Sequence, residues 1–184
     1  LSAFEADSGL VAGRANCITG PRSFIGAGTS NCVTAAQGSV VGGCCNCVQA
    51  AHSFVGGGVK NITRAVCSTV VTGESGLINI VGSHSFVGGG QCNFIDTPDS
   101  VIVGGGCNAI CNNGANGNQF IGGGYQNCVV GGTGPGNVVV GGFTNLVTGN
   151  GYNTIVGGQS NDITSCAQYS VVAGGKNNWI CGVA

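Results

Sequence analysis

The chain has 184 residues but only five basic and six acidic side chains, a formal net charge of −1. At 6% charged, against about 25% in an ordinary soluble domain, it carries no basic stripe for nucleic acid, and no apolar run reaches the roughly 18 residues of a membrane span. Thirty-eight glycines without a three-residue period exclude collagen, and 42% apolar content with regularly placed Val, Ile and Phe excludes disorder.

Residues 1–9, with Glu5 and Asp7, do not repeat and read as an N-terminal cap or docking segment. Residues 10–184 are one array of short units of the form Ser-apolar-apolar-Gly-Gly-x-x-Asn-x-apolar. Ser53-Phe54-Val55-Gly56-Gly57-Gly58-Val59-Lys60-Asn61-Ile62 and Ser85-Phe86-Val87-Gly88-Gly89-Gly90-Gln91-Cys92-Asn93-Phe94 are clear copies. The anchoring Asn falls at Asn16, Asn31, Asn46, Asn61, Asn93, Asn108, Asn127, Asn145, Asn161 and Asn178, the first three steps being 15 residues each. The longer gap from Asn61 to Asn93 holds a degenerate copy in which Gly76 takes the Asn place. Later steps lengthen to as much as 19 residues, as if loops had been extended.

A unit this short cannot bury its own apolar face, so each copy is one turn of a stack. Each unit contributes two apolar pieces. The first is Val40-Val41, Phe54-Val55, Phe86-Val87, Phe120-Ile121 or Val171-Val172; the second is Cys17-Ile18, Cys32-Val33, Cys47-Val48, Phe94-Ile95, Leu146-Val147 or Trp179-Ile180. Short, Gly-broken and rich in β-branched and aromatic residues, they read as strands of about four or five residues. The fold class is therefore all-β: a parallel β-solenoid, or β-roll, of about eleven turns of about 15 residues, two short strands per turn. Gly at one corner permits positive φ and close approach of the next turn. Asn at the other tolerates the left-handed conformation and can stack into an amide ladder.

Strand residues point alternately to opposite faces, yet two adjacent positions are apolar in nearly every turn. One face fills the lumen; the other is an apolar wall larger than a monomer exposes. Its economical cover is a further copy of the chain placed by rotational symmetry. These Ser-Phe-Val-Gly-Gly-Gly units with a following Asn resemble the head repeats of YadA-type trimeric autotransporter adhesins and related viral tail-fibre repeats. The resemblance spans about residues 8–181 and implies a left-handed parallel β-roll, three chains side by side and a role in surface attachment. The turns here are 15 residues and Cys-rich, where the family's are about 14 and Ala-rich.

The 12 cysteines point to an oxidising exterior. Cys17, Cys32 and Cys47 share one place in successive turns, and Cys45, Cys92 and Cys107 another. Stacked α-carbons about 5 Å apart lie within disulfide range. Cys92 with Cys107 is the clearest candidate pair, and two of Cys17, Cys32 and Cys47 form another; reduced thiols filling a tight lumen are the alternative. The sequon Asn61-Ile62-Thr63 marks a glycosylation candidate at Asn61, although Asn61 also belongs to the Asn column. No cofactor or metal is expected. The cysteine clusters lack zinc spacing, and His52 and His84, two turns or roughly 10 Å apart at exposed corners, are too distant to share an ion. Asp96 and Asp99 are a conceivable carboxylate pair for glycoside cleavage, but Asp-Thr-Pro-Asp reads more simply as a corner.

The expectation is a structural, non-enzymatic fibre protein outside a cell or on a virion. Its partners would be its own copies, as a homotrimer and head-to-tail through the repeat-like end at Trp179-Ile180-Cys181, and a host surface or glycan receptor if it is an adhesin. The missing Met further suggests a chain that starts after processing. Two alternatives compete: a carbohydrate-binding or depolymerising spike, and an ice-binding protein using the column Thr19, Thr34, Thr148 and Thr164, which Gln49, Arg64, Asp96, Cys111 and Val130 interrupt.

Overall fold

The computed structural model describes residues 7–112, 117–131, 134–164 and 166–182. It is all-β there, with 22 strands and no helix. The strands form two parallel sheets of eleven. The first runs from Gly9–Leu10 through Phe24–Ile25, Ser39–Val40 and Phe54–Val55 to Val171–Val172. The second runs from Cys17–Ile18 through Cys32–Val33 and Cys47–Val48 to Trp179–Ile180. Every strand pairs with the equivalent strand one circuit away, Phe24 opposite Ser39 and Cys17 opposite Cys32. At about 4.8 Å per layer the ten circuits between first and last rungs make a rod about 50 Å long.

Most strands are only two residues long, shorter than the four or five expected, because the circuit has a third side. A ladder of single parallel bridges runs Arg14–Thr29–Cys44–Val59–Glu74–Gln91 and on to Lys176. Three bends per circuit use up the residues that longer strands would have needed. In the second circuit these bends place Arg22, Gly28 and Ser30 at positive φ, 56°, 103° and 56°. The glycine is sterically required: a Cβ on Gly28 would sit 2.1 Å from the Gly43 carbonyl oxygen of the next rung. Asn was expected at a left-handed corner, but that conformation falls to the residue before it, Ala15, Ser30, Cys45 or Lys60. The Asn side chain is thereby turned inward.

Inside the coil the second residue of each strand is buried, giving one file of Ile and Val from each sheet, among them Ile25, Val40, Val55, Val33 and Val48 at 0% exposure. Two polar ladders flank this file. Asn31 is typical of the first: its Oδ1 accepts from the Asn46 N–H at 3.0 Å, and its Nδ2 donates to the Ala27 and Gly43 carbonyls at 3.1 and 3.0 Å. The amide ladder expected from the sequence is present, bonding mainly to backbone in the early rungs. Later rungs add amide–amide bonds, as from Asn145 Nδ2 to Asn127 Oδ1 at 3.1 Å. The second ladder runs through Ser23, Ser53, Ser68, Ser85 and Ser100 and continues as Gln119, Asn137 and Asn153. Buried polar groups persist where such bonds are made.

The 1–9 segment falls mostly outside the described residues. Ser8 already belongs to the coil, its Oγ accepting from the Ser23 N–H at 3.2 Å. Of the terminal stretch, Val183 and Ala184 lie outside the described residues.

Candidate functional site

The outer face of the first sheet is the principal unpaired apolar surface. Alternation puts Phe24, Phe54, Phe86 and Val103 outward, between 36% and 49% exposed, while Ile25, Val55, Val87 and Ile102 point in. The expected apolar wall therefore exists on this sheet. The second sheet presents a more mixed, half-buried row that includes Cys17, Cys32, Cys47, Ile62, Leu77 and Asp162.

The first-sheet face is also levelled. Where a rung presents Phe (24, 54, 86 and 120), the residue two positions on is Gly (26, 56, 88 and 122). Where it presents Ser39, Thr69, Val101, Val138 or Thr154, that place holds Val (41, 71, 103, 140 and 156). Each Phe ring lies back over its own glycine, so that a Cβ on Gly56, Gly88 or Gly122 would stand 3.3 Å from the ring Cε1. From Phe24 to Val138, ring-over-glycine rungs alternate with rungs that carry Val two positions on, so that the rings lie along the face instead of projecting from it. Sequence reasoning found the apolarity but not the levelling, although the Phe-x-Gly and β-branched-x-Val alternation was there to be read.

The cysteines remain thiols; none is in a disulfide. The pairs expected among Cys17, Cys32 and Cys47 and between Cys92 and Cys107 are not at bonding distance in this structure. Their α-carbons are suitably placed, Cys17 opposite Cys32 and Cys32 opposite Cys47. Direct stacking, however, keeps Cβ atoms as far apart as the rungs, about 4.8 Å, whereas a disulfide needs roughly 3.5–4.5 Å. Burial, with the flanking Cys47 and Cys17 thiols, pushes the Cys32 thiol up to about 11. Burial followed by the neighbouring Cys107 thiol raises Cys92. On the second sheet a hydrogen bond from Cys128 lowers the Cys111 thiol to about 7, and Cys128 is raised in return.

Other candidates separate. Asn61 is fully buried, its Oδ1 accepting from the Gly76 N–H at 2.9 Å and its Nδ2 donating to Gly57 and Gly73 at 2.8 and 2.9 Å. The folded coil therefore offers no amide there for a glycan. Asp96 and Asp99 do not form a pair: Asp99 sits at a left-handed corner, 3.6 Å from His84 Nδ1, whereas Asp96 lies on the second sheet's outer row near Cys111. Thr34, Thr148 and Thr164 share an outward column, but their hydroxyls point to the carbonyls of Val48, Ile163 and Ile180. One exposed aromatic pair stands on the third, bridged side, Tyr125 on Phe143 at 5.7 Å, and another at a left-handed corner, Tyr152 on Tyr169 at 5.2 Å. Among the described residues no three His, Cys, Asp or Glu side chains converge on one point, and no helix is long and apolar enough to cross a membrane.

No protein-family model matches the chain, and no curated protein matches it. The fold defines it as a parallel β-solenoid with one levelled apolar face.

Proposed function

We propose that the chain is a structural, non-enzymatic fibre element on a cell or virion exterior, assembled laterally as a trimer through the outer face of its first sheet. The observation that supports this is the strip itself. Phe54 and Phe86 remain 36% exposed and Val41 and Val103 49% exposed along the outer face of one sheet, and large exposed apolar patches mark interaction sites. Copies related by a closed rotation would cover it. The low charge opposes such contact little. Surface attachment is the role implied by the resemblance to trimeric adhesin heads.

The test is light-scattering mass on the purified chain and on a Phe54→Lys/Phe86→Lys double variant. The expected result is about three times the chain mass for the parent and one chain mass for the variant, with the same far-ultraviolet circular dichroism. A monodisperse parent monomer, or a variant that still assembles, overturns the proposal.

A further inference from the structure

One corner of the coil stacks four chemically active residues in consecutive rungs. His52, Cys67, His84 and Asp99 each precede a serine of the inner ladder and a first-sheet strand. Backbone bonds fix their succession: Cys67 N–H donates to Ala51 O at 3.1 Å, His84 N–H to Val66 O at 3.1 Å, and Asp99 N–H to Ser83 O at 2.9 Å. All four have φ between 50° and 57° and are exposed, so the backbone is the same at each and the side chains leave it in one direction. Beneath them Ser68, Ser85 and Ser100 N–H groups donate to the Ser53, Ser68 and Ser85 hydroxyls at 3.3, 3.3 and 3.1 Å. The column therefore stands on a rigid base. It holds both histidines of the chain.

We propose that His52, Cys67 and His84 form a binding site for a zinc-class divalent ion, with Asp99 as a positioning residue. The two histidines are two rungs apart, about 10 Å between backbones, which the sequence suggested was too far. The structure places Cys67 midway. A short thiolate at the centre needs a bond of about 2.3 Å, and a longer imidazole leaning in from each side needs one of about 2.0–2.1 Å. Together they span the gap and leave the fourth tetrahedral position to water. As the structure stands the three side chains do not converge; metal binding would bring them together by χ rotation of exposed side chains. Asp99 Oδ1 already lies 3.6 Å from His84 Nδ1, the carboxylate–imidazole arrangement that directs Nε2 toward a metal. On binding, Cys67 releases its thiol proton to solvent and the sulfur lone pair forms the metal bond; both imidazoles bind neutral. A mixed N/S set favours zinc over calcium or magnesium.

Because the chain has only two histidines, their imidazole NMR signals report on this corner alone, whatever the other thiols bind. Zinc chloride titrated into the full chain should shift both rings together and saturably. Cys67→Ser should weaken that response at least tenfold, Asp99→Asn about tenfold, and Cys92→Ser, at another corner, not at all. Circular dichroism checks that each variant is folded. A shift of only one ring, of neither, or an unchanged response in Cys67→Ser overturns the site. The result does not depend on lateral assembly, which is measured separately by mass.

Discussion

Each inward Asn does the work of a corner from within: one carbonyl oxygen accepts the next rung's N–H, and one amide group ties two backbone carbonyls. The ladder has one natural gap, since Gly76 has no side-chain oxygen to offer the Asn93 N–H and no amide to tie two carbonyls. A Cβ there would stand 3.0 Å from Asn61 Oδ1 and 3.4 Å from Val70 Cγ1, tight but with no backbone in the way. Gly76→Asn should therefore restore the ladder and add about 1 kcal/mol, a rise of about 2–4 °C in Tm. An unchanged or lower Tm would show that the amide ladder adds nothing at this rung. The left-handed corners carry the opposite lesson. Ser30, Cys45, Lys60 and His52 hold positive φ without being Gly or Asn, because hydrogen bonds to neighbouring rungs over-determine the backbone.

At the level of the sheet, what decides stability is which side of a two-residue strand a side chain takes. The second sheet's outer row includes Asp162, opposite Trp179 and Leu146, with one carboxylate oxygen buried and unpartnered. Desolvation raises its carboxyl above the ordinary value. A raised carboxyl leaves stability intact while protonated in both states and reduces it as pH rises through the folded value. Asp162→Asn should therefore stabilise the fold at pH 7 by no more than about 1 kcal/mol at a half-exposed site, seen as a higher Tm, and the gap should close toward pH 3. Thermal melts at the two pH values decide it; a gap that is constant or widens in acid contradicts the assignment. The first sheet shows the same logic in apolar form. Its Phe-over-Gly and Val rungs make a strip whose flatness is a property of paired positions, not of any one residue.

For the whole molecule, the early circuits of 15 residues are interchangeable units. Deleting Cys32 to Asn46 joins Asn31 to Cys47-Val48 and recreates the original Asn-Cys-Val sequence. The shortened chain should keep its β circular dichroism and cooperative melting, with a slightly lower Tm. Deleting only Cys32 to Ser39 should not, because it sets second-sheet residues over first-sheet ones. Equal stability of the two deletions would mean that the circuits do not stack in register.

The repeat by itself determined the stacked parallel coil, a lumen filled by one of its two apolar faces, the glycine corner and the amide ladder, because a 15-residue period in Asn, Gly and β-branched residues admits few other ways to bury the apolar positions. It also announced an apolar flank. The sequence did not show the third bridged side, the transfer of the left-handed conformation from Asn to its predecessor, the failure of the cysteine columns to bridge, or the corner that places Cys67 between His52 and His84. Those depend on distances between layers. A spacing of about 4.8 Å is too wide for Cβ atoms to form disulfides and close enough to line up side chains from rungs 15 or 17 residues apart in sequence.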